Sequence, residues 1–461
     1  RQRGGLTMKI LFVISHTGGF RFFEGVIKEL ISRGHKPSVH FGAMSNQSLG
    51  KQFRPVVGFQ KEHPTTDIRL AVRRRLFGLL ARIPMLTREY LSYAVYLTGR
   101  HPTPHLAYRW VAYVPTITRP FVRSRFGKFL FARASIRKLL NLVERLIPAS
   151  KRLVQDLEGQ EFAAVIASPL IAAHAVEVEY VKAALRAKIP TAAAVLSWDH
   201  LSSKGTFHVS PDRIFVWNQS LADEAVAIHG MPDEKIRVTG APVFDFWFDM
   251  QPQETRDQFM SRVGLQTGSP YVVYACSSTT ITGDETGILR EFVGLLRANP
   301  KTESISVLVR PHPLNPSIWQ EISEPGVSIY PIAGDIPDDS SSRMDYVTTL
   351  RYALAIIGVN TSAMVEAAAA DIPCITVVTD RYEASQAGRA HFKMLMEGDY
   401  VEIADGLVAG VDAVATIASG VDSKADERKR FAETFIRPKG IGTSAATIMA
   451  DEIEEMIKSH L

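Results

Sequence analysis

Two doubly wound, Rossmann-like α/β halves, the first carrying a basic helical insertion, are the fold class this sequence predicts. Three observations lead there. The length of 461 residues exceeds what one core usually supports, so two domains of roughly 200 residues each are expected. Apolar runs of strand length alternate with amphipathic stretches of helix length, the pattern of parallel sheets. Within the first half this alternation stops, and a long segment crowds Arg and aromatic residues together.

The opening "MKILFVISHTGGFRFFEGVIKELISRGHKPSVHFG" (8–42) reads as an apolar strand, a Gly-Gly turn, an amphipathic helix ending near Gly34 and a second strand. Residues 67–157 read as mostly helical and are interrupted by prolines from Pro84 to Pro120. Strand patterns return at "FAAVIAS" (162–168), "TAAAVLSWD" (191–199) and "RIFVWN" (213–218). "KIRVTGAPVFDFW" (235–247) reads as a last strand and a crossing into the second half. There, strands are predicted at 271–277, 305–313, 352–358 and 374–378. Helices are predicted at 284–298, 316–322, 362–370 and 423–435, with a terminal amphipathic helix over 443–459. The expected domains are 8–245, an acceptor domain with the insertion 67–157, and 246–461, a nucleotide-donor domain, with a cleft between them.

Apolar residues at 46% and charged ones at 22% are ordinary for a globular protein. Cys276 and Cys374 sit in apolar runs and read as reduced core thiols. No run reaches about 18 uninterrupted apolar residues and no signal-peptide pattern is visible, so a cytoplasmic protein is expected. The net charge of +5 is unevenly spread. From Arg69 to Arg152 there are 18 Lys/Arg against two acids, Glu89 and Glu144, a balance of +16, so the rest of the chain carries about −11. Aromatics such as Tyr90, Trp110, Phe126 and Phe129 interleave with these cations. Segment 69–152 is therefore expected to be a peripheral face for the anionic inner leaflet of the cytoplasmic membrane. Solvated faces of core helices are the ordinary alternative. Nucleic acid is disfavoured, because no RRM, KH or helix-turn-helix signature is present.

Ligands of open α/β sheets sit outside the carboxyl ends of strands, and four polar groups fall at such ends. "HTGG" supplies His16, Gly18 and Gly19, without a G-x-G-x-x-G fingerprint. "VRPHP" places Arg310 and His312 two apart, a guanidinium and an imidazole suited to a diphosphate. "CSST" (Cys276–Thr279) adds Ser277 and Ser278. "GVNTSAMVE" sets Asn360, Thr361 and Ser362 before an alanine-rich helix, with Glu366 one turn deeper. Alone, "HTGG", "CSST" and "GVNTSAMVE" are equally an ordinary turn or helix cap, and "VRPHP" has a solvated surface loop as its ordinary alternative. Their shared strand-end placement is what favours a phosphate site.

The ordered set "HTGG", "VTGAPVFD", "RPHP" and "NTSAMVEAAAADIPCITV" resembles the GT-B glycosyltransferases. It is most similar to the bacterial branch containing CDP-glycerol glycerophosphotransferases and capsule polysialyltransferases. The resemblance spans 190–460 well and 8–45 loosely. It implies that His312 binds the donor phosphate, Thr361 and Ser362 the phosphate oxygens, and Glu366 the ribose. The loop reads Asn-Thr-Ser where the glycerophosphate transferases carry Asp-Tyr-Ser-Ser, and the later acid is Glu rather than Asp. "SWDHLSSKG" (197–205) is similar to a "WDN-x-x-x-KG" pattern of uncharacterised relatives.

The resemblance also implies catalysis without a metal or other cofactor. The sequence agrees in having no Asp-x-Asp at a strand end and no His/Cys ligand spacing. Asp199 and His16 are the candidate bases, and Gly18, Gly19, Trp198 and Lys204 the candidate acceptor or cleft residues. The expected activity is transfer of a sugar, or a polyol phosphate, from a nucleotide-activated donor to a cell-surface glycan or lipid-linked acceptor. The alternatives are a nucleotide-sugar epimerase of the same fold and a non-catalytic membrane- or nucleic-acid-binding module.

Overall fold

The computed structural model describes residues 7–43, 54–71, 83–98, 101, 104–278, 282–379 and 390–460. The chain forms two compact units, one of Arg1–Val243 with Arg437–Leu461, the other of Phe244–Ile436. The fold is the two-domain GT-B-like α/β class.

In the first unit, seven parallel strands run β1 (Lys9–His16), β2 (Lys36–Ala43), β3 (Asp67–Leu70), β4 (Ala164–Ser168), β5 (Thr191–Ala194), β6 (Arg213–Val216) and β7 (Ile236–Val238). Their order across the sheet is β3-β2-β1-β4-β5-β6-β7. Every residue of β4 and β5 is buried, which explains why these segments are nearly all apolar rather than alternating. The helix Glu24–Ser32 buries Val26, Ile27 and Leu30.

In the second unit, six strands follow: β8 (Tyr271–Ala275), β9 (Ser306–Arg310), β10 (Val327–Ile329), β11 (Ala355–Gly358), β12 (Cys374–Val378) and β13 (Val401–Asp405). They are arranged β10-β9-β8-β11-β12-β13, again all parallel. The helix Ala363–Ala370 buries seven of its eight residues, five of them alanines.

Four sequence expectations change. The insertion does not begin at 67, because Asp67–Leu70 pairs with β2 as an edge strand whose exposed Asp67 and half-buried Arg69 hide its pattern. Nor does it run to 157, because the helix Lys151–Gly159 packs on the helix Glu177–Arg186 of the sheet's own layer. The short β10 and the edge strand β13, interrupted by Glu402, lack an apolar run and were not legible. The last segment, assigned to the second domain, belongs to the first. The helix Ala445–Lys458 inserts Met449, Ala450, Ile453 and Ile457 into the core behind β1. A Cβ at Gly25 would stand 3.4 Å from the Cβ of Ala446, and Arg33 bonds Asp451 at 2.6 Å.

The insertion has its own core of Tyr93, Tyr96, Trp110, Val122 and Phe131. Buried charge fastens it to the α/β layer. Arg88 donates to Glu144 at 2.8 Å and to Glu179 at 2.6 Å, and Lys182 reaches Glu144 at 3.0 Å. Glu89 accepts the backbone N–H of His174 at 2.8 Å. Both acids of the basic segment are thus spent inside. Removing one partner strands a buried charge, so Arg88→Ala should destabilise the first unit by about 3–5 kcal/mol. Calorimetry checks this: the Arg88→Ala transition should fall by several degrees, while that of the exposed Arg125→Ala should stay in place.

Candidate functional site

The second sheet reverses its strand order between β8 and β11, where crossovers depart in opposite directions and leave the carboxyl ends open. Three of the four sequence groups meet at the ends of β8, β9 and β11. Gly358 makes this possible, since a Cβ there would stand 2.5 Å from the carbonyl oxygen of Ala275. The backbone N–H of Asn360 then donates to the Ser277 hydroxyl at 3.2 Å. Ser277 in turn donates its own N–H to Glu285 at 2.9 Å. Glu285, 2% exposed, also receives the hydroxyls of Tyr274 and Thr282, so one buried carboxylate fixes the loop after β8. Ser278 is half-buried beside it, and Thr279 lies outside the described residues.

Arg310 closes β9. Its guanidinium lies over the Tyr346 ring at 3.9 Å, and one amino group donates to the carbonyl of Asp335 at 3.4 Å. The Tyr346 hydroxyl donates to Glu366 at 2.6 Å. Burial, then the neighbouring Glu366 carboxylate, holds the Tyr346 pKa well up, so the phenol stays a donor. Cation, ring and acid form one ladder linking β9 to the helix after β11. Two buried donors at these strand ends, Arg310 Nη1 and Asn360 Nδ2, have no hydrogen-bond partner among the described residues. A buried donor without a partner costs about 1–3 kcal/mol, which an arriving oxyanion would relieve.

His312 follows β9. Burial lowers its pKa, and its Nδ1 accepts the N–H of Leu314 at 3.2 Å, which leaves Nε2–H as the ring's donor in the neutral form. Thr361 accepts the N–H of Ala363 at 3.4 Å. Ser362 is exposed at the N-cap of the helix Ala363–Ala370 and makes no side-chain cap bond. The positive end of that helix therefore faces outward.

In the first unit, strand order reverses between β1 and β4, and a cavity of about 570 Å³ opens there. His16, His174, Glu177, Ser197, His200 and Lys204 are among its lining. His16 is exposed at the cavity wall, where partial desolvation, with Arg21 second, lowers its pKa, so its imidazole is neutral near pH 7. Asp199 accepts hydrogen bonds from Ser197 and Ser203 and pairs with Lys204 at 3.5 Å. His200 is committed to the carbonyl of Ile171 at 2.8 Å, and burial lowers its pKa to about 4.

Two of the cleft candidates, Trp198 and Gly19, are buried. Trp198 is 9% exposed, so its ring is an interior element. Gly19 lies in a turn of 3₁₀ helix, where a Cβ would meet Ile14 at 2.7 Å, and Gly18 beside it is half-buried. Three acids or phenols escaped the sequence reading. Tyr346 lies on the helix Ser340–Arg351, whose Ser- and Thr-rich face shows little apolar period. Glu285 precedes a helix and reads as an ordinary first-turn acid. Glu224 has its pKa pushed up to about 8 by burial, with the Asp199 carboxylate second.

Residues 212–420 match the family model described as UDP-N-acetylglucosamine 2-epimerase. None of the curated proteins matches the chain. Among solved structures, the UDP-GlcNAc 2-epimerase from Neisseria meningitidis bound to UDP-GlcNAc is similar at 13% identity and a TM-score of 0.54. The match covers 97% of this chain and 100% of that one. A putative UDP-N-acetylglucosamine 2-epimerase from Listeria monocytogenes is similar at 10% identity and TM-score 0.56, over 99% and 97%. A glycosyltransferase from Rickettsia africae ESF-5 gives 10% and 0.51, over 99% of each chain. At such identities the likeness carries the fold. The family match contains β8, β9, β11 and their loops.

Two outcomes test these sites. Arg310→Ala should weaken nucleotide binding by about 1–3 kcal/mol in titration calorimetry. Tyr346→Phe, which keeps the ring under the guanidinium, should lose less than Arg310→Ala. In the first unit, the folded state holds a proton on Glu224 that the unfolded chain releases near pH 4.5. Stability attached to this group is therefore greatest at low pH and declines as pH rises towards about 8. The melting advantage of Glu224→Gln over the native protein should grow across that window. A constant difference from pH 4 to pH 9 would contradict the assignment.

Proposed function

We propose that this protein is an enzyme acting on a UDP-activated N-acetylhexosamine, and that it inverts the sugar at C2. The observation that carries the reading is the convergence of Arg310, Asn360 and the open N-terminus of the helix Ala363–Ala370 at the strand-order reversal of the second unit. A cation, buried N–H donors and a helix dipole are the components a diphosphate needs. The epimerase family match over this segment supports a uridine diphosphate sugar. In this reading Arg310, His312 and Ser362 take the phosphates, and Glu366 takes the ribose.

The expected glycosyl transfer becomes the second reading, supported by the glycosyltransferase of the same fold and by the strand-end resemblance. The glycerophosphotransferase branch has weaker support, because the loop departs from Asp-Tyr-Ser-Ser. Under either reading, protein groups meet the charge that develops on the phosphates, and no metal is required. His16 and Asp199 remain the candidate bases.

Incubation with UDP-GlcNAc in deuterated water separates the readings. Epimerisation should exchange the C2 hydrogen and yield the C2 epimer with no acceptor present, undiminished by EDTA. Release of UDP only when a glycan or lipid-linked acceptor is added, with C2 unexchanged, would overturn epimerisation in favour of transfer. Activity lost in EDTA and restored by magnesium would overturn the metal-free assignment.

A further inference from the structure

From Pro104 to Leu146 the chain carries nine Lys/Arg and one acid, Glu144. That acid is 2% exposed and consumed by Arg88 and Lys182, so no carboxylate of this stretch reaches its surface. The stretch is also unusually apolar on the outside. Ile117 is 89% exposed, Leu146 72%, Phe126 66%, Phe129 55% and Leu142 52%. No described helix is long and apolar enough to cross a membrane, so these side chains do not belong to a span.

The exposure follows from helix geometry. The helices Arg119–Arg123, Arg125–Ala132 and Ala134–Leu146 pack in succession, the last two also against the helix Ile83–Tyr96. Helix Arg125–Ala132 turns Phe131 inward onto Tyr90 and Tyr93, with ring centroids 5.3 and 5.6 Å away. Gly127 lies on the same inner side, where a Cβ would stand 2.0 Å from the carbonyl of Phe121. At 100° per residue, Arg125, Phe126 and Phe129 then fall on the opposite face. Phe126 meets Phe121 edge-on at 6.1 Å, and Arg133 stacks over Phe129 at 4.1 Å. On helix Ala134–Leu146 the inward Glu144 sets the outer face to Lys138, Leu142 and Arg145. Both helices thus present cations and large apolar groups together.

The geometry points to a docking surface for an anionic phospholipid bilayer on helices Arg125–Ala132 and Ala134–Leu146. Cations meet the headgroup charge, while Phe126, Phe129 and Leu142 enter the boundary with the acyl chains. Two other occupants fit less well. Single-stranded nucleic acid would use the cations and rings, but aliphatic Leu142, Leu146 and Ile117 offer bases nothing to stack on. A second copy would set this basic face against its own like charge.

Flotation of the full-length protein with vesicles tests the assignment, and it is independent of the proposed catalytic activity. Vesicles of phosphatidylcholine with phosphatidylglycerol should carry the protein at low salt, and vesicles of phosphatidylcholine alone should not. Binding should fall steeply as salt rises. Arg125→Gln and Lys128→Gln should each lower the partition coefficient by roughly fivefold. Phe126→Ala with Phe129→Ala should lower it further at unchanged charge, with the melting temperature preserved because both rings are exposed. Protein left in the soluble fraction with anionic vesicles at low salt would overturn the proposal. So would tighter binding to labelled oligouridine than to the vesicles, or self-association that buries Phe129.

Discussion

The guanidinium of Arg310 lies flat on the Tyr346 ring, and the phenol of that ring is bonded to Glu366. This ladder joins the end of β9 to the helix after β11 across the point where the second sheet reverses. It holds a cation beside a helix N-terminus without neutralising it, because its partners are a ring face and a carbonyl rather than a carboxylate. Positive charge kept in place by stacking and burial remains available to an incoming phosphate. A direct Arg310–Glu366 ion pair would have cancelled that charge. Interposing Tyr346 separates the two functions, and its burial-raised pKa keeps the hydroxyl a donor to the acid.

The same unit shows how a parallel sheet creates the site without special loops. Gly358 and Ala275 approach so closely that only glycine fits, and this brings Asn360 against Ser277. Glu285 then secures the far side of the loop from beneath. Alanines in the helix Ala363–Ala370 let it settle near the strands with its N-cap residue, Ser362, exposed. Buried carboxylates also serve the first unit, where Glu144 and Glu89 fasten the basic insertion and leave its outer surface without a carboxylate.

Much of this was legible in the sequence, for physical reasons. Strands such as β4 and β12 are buried on nearly every residue, so they read as predominantly apolar runs. The strand-end groups at 310–312 and 360–366 were legible because polar residues directly after such runs fall where ligands bind. Edge strands β3 and β13 were not, since half-exposed strands tolerate charges that erase the pattern, and β10 is only three residues long with Ser328 at its centre. Tyr346 was hidden because a residue acting through a ring contact to Arg310, 36 positions away in sequence, leaves no local spacing to read. The return of the helix Ala445–Lys458 to the first unit was invisible for the same reason. Its amphipathic face announces a helix, but not which core receives it.

A crystal structure of the protein with UDP decides whether the ends of β8, β9 and β11 hold the proposed nucleotide diphosphate. The diphosphate should lie within hydrogen-bond distance of Arg310 and the backbone N–H groups at Ser362, with the ribose hydroxyls on Glu366. A nucleotide found in the first unit's cavity beside His16, or anywhere that leaves Arg310 untouched, would rule that placement out.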